Sequence, residues 1–160
     1  MKNKYADLGS ISSGTMRPED LIPCFASELE SLMKNREPSG AMSADWRDSF
    51  AKLISEAEAI EDFYECEDAG DILAELFDAL QAFAPPYAYF GAHPGDGADY
   101  GFWLGEDFQQ DIRDNGGLEV DDLSAVPADY CGEVLHVSDH GNATLYAADH
   151  GKFSEIWGVV

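Results

Sequence analysis

Positive charge is scarce in this chain: nine Lys and Arg stand against 32 Asp and Glu, a formal net charge of −23 over 160 residues. That scarcity argues against direct nucleic-acid binding, because phosphates are held by clustered Lys and Arg, and against docking on an anionic membrane surface. Cysteine is sparse as well. Cys24, Cys66 and Cys131 are odd in number and widely spaced, with no C-x-x-C pair, so neither a disulfide framework nor a zinc site is signalled and buried free thiols are expected. No stretch approaches the roughly 18 apolar residues of a membrane span, and the start, MKNKYADLGSISSGTM, lacks an apolar signal core. These absences point to a cytoplasmic protein, in which the sequon at Asn142-Ala143-Thr144 has no route to glycosylation.

Apolar and aromatic residues are plentiful, at 45% and 12%. A disordered acidic chain is poor in both, so a folded one is expected, and 160 residues suffice for one core. The reading is a single domain over 1–160: an N-terminal segment 1–17, a mainly helical part 18–84 and a mainly β part 86–160. Leu21, Phe25, Leu29 and Leu32 or Met33 repeat at helical spacing with Glu28 and Glu30 turned away; Pro23 implies a preceding short turn or a kink. A loop at NREPSGAMS leads to a second helix, capped by Ser43 and reaching Tyr64, with the stripe Trp46, Phe50, Leu53, Ile54, Ala57, Ile60 and Tyr64. A third starts near Asp68 and stops at Pro85-Pro86.

Beyond those prolines the period changes. YAYFGAH and ADYGFWL read as strands around HPGDG, EDFQQDIRDN as a brief helix, and CGEVLHVS, NATLYAA and KFSEIWGVV as a three-stranded meander. Helices first and strands later predict an α+β fold, with about three helices on one face of an antiparallel sheet of about five strands.

Residues with catalytic potential do not assemble into a motif. Asp139-His140-Gly141 and Asp149-His150-Gly151 read as turns at opposite ends of a strand, roughly 20 Å apart at about 3.4 Å per residue, so they cannot share an ion; Gly at positive φ and Asp bonded to its own backbone account for both. His93 and His136 have no ligand at a recognisable spacing. The run GDGADYG has the wrong spacing for a phosphate loop, and as a calcium loop it places Ala98 and Tyr100 where oxygen ligands belong. No catalytic residue, metal or cofactor is therefore expected.

The charge itself is unevenly placed. Residues 1–44 hold six acids and five bases, 45–78 twelve acids and two bases, and 79–160 fourteen acids and two bases. From Ala59 to Leu80 there is no Lys or Arg at all. Glu58, Asp62 and Glu65 on helix two, and Asp71, Glu75 and Asp78 on helix three, follow i, i+4, i+7 spacing away from the apolar stripes. Like charges so placed destabilise an isolated helix by about 0.2–0.5 kcal/mol per pair, and solubility needs a net charge of only about 2 to 8. Duplex DNA carries a charge every ~1.7 Å of axis. The rows of carboxylates therefore predict a DNA-like surface for a basic nucleic-acid-binding protein, with Asp96 and Asp99 in an exposed loop as further contacts. Acidity for solubility alone, with binding through an aromatic strip of Tyr100, Phe102 and Trp103, is the alternative. A high-salt host would spread acidity evenly, unlike the near-neutral 1–44.

The segments GTMRPEDLIPCF, YFGAHPGDGADYGFWL, DHGNATLY and EIWGVV resemble parts of small acidic proteins encoded by phages and plasmids. The resemblance implies a mobile-element origin and a bacterial host. DNA-mimicking anti-CRISPR and anti-restriction proteins are similar to this chain in size and charge, which implies a CRISPR effector or a restriction enzyme as partner. It carries no functional residue over.

Overall fold

Pro18 has the fixed φ suited to a first helical position, and in the computed structural model, which describes residues 4–39 and 42–160, it opens helix α1, Pro18–Asn35. Pro23 stands inside α1, exposed and without ending it. Strand β1, Gly9–Ser12, precedes the helix; α2, Trp46–Glu58, and α3, Ala69–Gln81, follow it. Then come β2, Ala88–His93, β3, Asp96–Leu104, α4, Phe108–Asp114, and β4, Leu118–Val120. After a 3-10 turn at Leu123–Ala125 the chain ends in β5, Cys131–Val137, β6, Ala143–Asp149, and β7, Lys152–Val159. Residues 1–3 of the expected N-terminal segment and residues 40 and 41 of the expected loop lie outside the described residues.

The α+β class holds, but the single five-stranded sheet does not. The described residues form two sheets, ordered β1-β3-β2 and β4-β5-β6-β7. The meander β5-β6-β7 is antiparallel as expected, whereas β4 runs parallel to β5, with Leu118 opposite Val134. The strands absent from the sequence reading, GSIS and LEV, are too short for alternation to register.

The chain clusters into two compact units. One holds the residues up to Ala84 together with Tyr89–Trp103, so the β2–β3 hairpin belongs with the helices rather than with the later strands. Its core is aromatic: Phe25 of α1 meets Phe77, Phe90 and Tyr100 edge-on at ring-centroid distances of 5.3, 5.1 and 5.8 Å. Leu21, Ile22, Leu29, Leu76, Leu80, Phe83 and Phe102 are buried around them. Tyr100 and Phe102 therefore cannot form an exposed binding strip: two residues apart, they share the core-facing side of β3. Trp103 faces the other way, meets His93 edge-on at a centroid distance of 4.7 Å and donates Nε1–H to Gly91 O at 3.0 Å.

Gly101 of β3 is required by β1. A Cβ there would lie 2.0 Å from Gly9 O and 2.9 Å from Ser10 Cα, both backbone atoms that cannot swing away. Gly101→Ala is expected to lose about 1–3 kcal/mol, the usual cost of overpacking, with loss of amide-exchange protection at β1. Unchanged protection along Gly9–Ser12 would contradict this.

The second unit holds residues 85–88 and 104–160. Ile112, Val134, Leu135, Leu145 and Trp157 are buried there. Trp157 donates Nε1–H to Pro86 O at 2.9 Å and meets Phe108 at 5.8 Å.

Candidate partner-binding surface and its charges

Helix α2 ends at Glu58, six residues short of Tyr64. Its last turn carries Glu56 and Glu58 and contains no base, although Lys52 one turn back pairs with Glu56 at 3.4 Å; the negative end of the helix dipole there opposes carboxylates. Immediately beyond, Asp62 Oδ1 accepts from the backbone N–H of Tyr64 at 2.9 Å and of Glu65 at 3.4 Å. That local turn competes with continuing the helix. Asp62 and Glu65 thus sit in the α2–α3 loop, not in a row with Glu58, and Tyr64 is 85% exposed rather than part of the apolar stripe. The helix starts at Asp45 as N-cap, not at Ser43.

The α3 triplet stands as expected. Asp71, Glu75 and Asp78 are exposed, opposite buried Leu76, Ala79 and Leu80. Asp71 lies in the first turn, where the dipole favours an acid; Asp78 lies in the last turn, which has no base. Asp96 and Asp99 are not loop residues: both belong to β3. Asp96 accepts from the Ala98 N–H at 3.0 Å, and Asp99 accepts from the Ser10 hydroxyl across the β1–β3 pair, so each has a local structural role.

The structure brings two of the expected residues together with two others. Asp71 and Glu75 line a groove of about 460 Å³ with Glu56 and Asp68, floored by Ile60 and Ile72. Glu56 and Asp68 escape a helix-by-helix reading because the groove joins α2 to the start of α3, a relation that no single helical period contains. Among the described residues the ion pairs engage Asp7, Glu19, Glu30, Glu56, Glu119 and Asp149. Glu58, Asp62, Glu65, Asp71, Glu75 and Asp78 are in none of these pairs. Meanwhile Lys4, Lys34, Arg36 and Arg47, four of the nine bases, line a different groove, of about 700 Å³, in the same unit. The two grooves thus differ in predominant charge, one lined by four acids and the other by four bases and Glu37.

Glu28, expected to face solvent, is half-buried beside Asp7 and Arg36. Burial pushes its carboxyl above the ordinary value and the nearby Asp7 carboxylate adds to the rise, with Arg36 opposing. The native state then holds this proton more tightly than the unfolded chain, so stability falls as pH rises from 4.5 through the raised native value. Glu28→Gln is expected to raise the thermal midpoint at neutral pH, with the gain vanishing below that window. A gain that persists at low pH would contradict this.

Cysteine placement also departs from the buried-thiol expectation: Cys24 and Cys66 are partly covered, and Cys131 is exposed. His93 Nδ1 accepts from the Gly95 N–H at 3.0 Å, and His136 Nε2 lies 3.1 Å from Asp121 O, so both serve local structure. No helix among the described residues is long and apolar enough to cross a membrane. No family model, curated protein or solved structure matches the chain.

Proposed function

We propose that this chain is a non-catalytic, DNA-mimicking inhibitor that occupies the nucleic-acid-binding surface of a basic protein of a bacterial defence complex, a CRISPR effector or a restriction enzyme. The observation that carries the reading is where the acids sit. Carboxylates at Glu58 and Asp78 occupy helix C-terminal turns with no base, each opposed by about 0.3–1 kcal/mol of dipole energy. Folding gains nothing from them, and a basic groove does. Supporting the reading, Glu58, Asp62, Glu65, Asp71, Glu75 and Asp78 are all exposed on α2, the following loop and α3, and Glu56 and Asp68 join Asp71 and Glu75 in the groove. A field of one sign steers an oppositely charged partner to a fast, salt-sensitive encounter.

The test is capture from a nuclease-treated bacterial lysate on the immobilised chain, eluted stepwise in salt and by added duplex DNA. Nucleic-acid-binding defence proteins that elute early in salt and are released by DNA support the reading. A captured set that resists salt and ignores DNA sinks it.

A further inference from the structure

By spacing, Asp149-His150-Gly151 is a turn, and Cys131 is eighteen residues away from it in the chain. Antiparallel pairing joins them. Cys131 stands directly opposite Asp149 across β5 and β6, and His150 follows in the turn to β7. Cys131 Sγ lies 3.3 Å from His150 Nδ1 and 3.6 Å from Asp149 Oδ1, and those two atoms are 2.6 Å apart. In a nucleophile triad the imidazole uses one nitrogen toward the thiol and the other toward the carboxylate. Here Sγ lies beside the ring, 3.3 Å from Nδ1 and 3.9 Å from Nε2, while Oδ1 pairs with the same Nδ1, so no triad forms and the three groups are donors clustered within reach of one ion.

We propose that Cys131, Asp149 and His150 form a binding site for one divalent transition-metal ion of the zinc class, with a further coordination position open to solvent. A triangle with edges of 3.3, 3.6 and 2.6 Å has a circumradius of about 1.9 Å, less than the ~2.0–2.3 Å bonds zinc makes to nitrogen, oxygen and sulfur. A single ion just above the triangle is therefore within bonding distance of all three atoms once the imidazole ring has turned toward it. The Nδ1···Oδ1 edge has to widen, toward the roughly 3.3 Å edge of a zinc tetrahedron, and the imidazole has to turn its Nδ1 lone pair toward the shared point, since Sγ lies beside the ring at 3.9 Å from Nε2; His150 and Asp149 are exposed enough to do both, at 72% and 79%. Binding replaces the hydrogen bond between them: the thiol proton leaves to solvent, the imidazole keeps its single proton on Nε2 and sheds any second one to solvent, and the ion takes the freed lone pairs.

The donor set decides the class of metal. Thiolate and imidazole are borderline-to-soft ligands that favour zinc, cobalt, nickel or copper, whereas magnesium and calcium require oxygen. The backbone holds the three in place. The His150 N–H donates to Tyr130 O at 3.3 Å, tying the turn to the residue before Cys131. His150 (φ 47°) and Gly151 (φ 80°) adopt the left-handed pair of a two-residue hairpin turn. Three protein donors plus an open position is the plan of a site that admits water or an outside ligand. The inference does not depend on the acidic surface or its partner.

Cobalt(II) titrated into the reduced full chain reports thiolate ligation by a sulfur-to-metal charge-transfer absorption. The expected result is one equivalent bound with that absorption, displaced by zinc and unaffected by a hundredfold excess of magnesium. Cys131→Ser abolishes the absorption, and His150→Asn, a residue suited to positive φ, weakens binding at least tenfold with the hairpin intact. No charge-transfer absorption in the wild type, or the same titration in Cys131→Ser, overturns the proposal; cobalt that magnesium displaces is adventitious carboxylate binding and overturns it too.

Discussion

Glu58→Lys combined with Asp78→Lys is expected to make the protein more stable and its partner binding weaker at the same time. Both positions lie in the last turns of their helices, α2 and α3, with no base present, so a cation there gains about 0.3–1 kcal/mol per site from the dipole. The same change places positive charge against a basic groove. Close charge pairs at interfaces couple by about 1.5–7 kcal/mol, so each reversal should cost on the order of tenfold or more in affinity, at 1.4 kcal/mol per decade. Opposite signs separate this account from acidity that serves solubility alone. Thermal unfolding and a binding titration on the same preparation read both. A stabilised variant that binds its partner as tightly as before would move the interface elsewhere. Asp62 is a poor choice for this experiment because its carboxylate holds the turn at Tyr64 and Glu65.

Phe25→Ala is expected to cost about 3–5 kcal/mol, the range for removing a fully buried aromatic ring. Phe25 has no exposed surface, and it is the ring on which Phe77, Phe90 and Tyr100 converge. Each edge-to-face contact adds roughly 0.5–1.5 kcal/mol beyond burial. A domain's whole stability is about 5–15 kcal/mol, so this one change should bring the helical unit close to unfolding. Urea denaturation read by near-ultraviolet circular dichroism measures it; a loss below about 1 kcal/mol would mean the aromatic cluster is not the centre of the core.

The elements with a strong period were legible. The Leu21, Phe25, Leu29 stripe gave α1, the Leu76 and Leu80 stripe gave α3, and alternation around DHG turns gave the meander. The end of α2 was not legible from its period, because the apolar residues Ile60 and Tyr64 continue the stripe while charge and the Asp62 turn stop the helix. Burial of Tyr100 and Phe102 was missed for a different reason. An aromatic run in a strand shows alternation but not which face meets the helices, and Phe25 and Phe77 decide that from far along the chain. The same non-locality hid the Cys131, Asp149 and His150 cluster, whose members meet through strand register alone. Glu56 and Asp68 likewise join the acidic groove only when two helices are placed together. Charge excess, by contrast, is a property of the chain and was readable at once.

The measurement that tests the central claim most directly is competition. The protein captured by the immobilised chain is titrated with soluble chain at increasing salt, with and without a duplex DNA competitor. Mimicry predicts mutually exclusive binding, with the apparent dissociation constant rising in proportion to DNA added and rising steeply with salt as the carboxylates are screened. A ternary complex of chain, partner and DNA, at an affinity indifferent to salt, would contradict it.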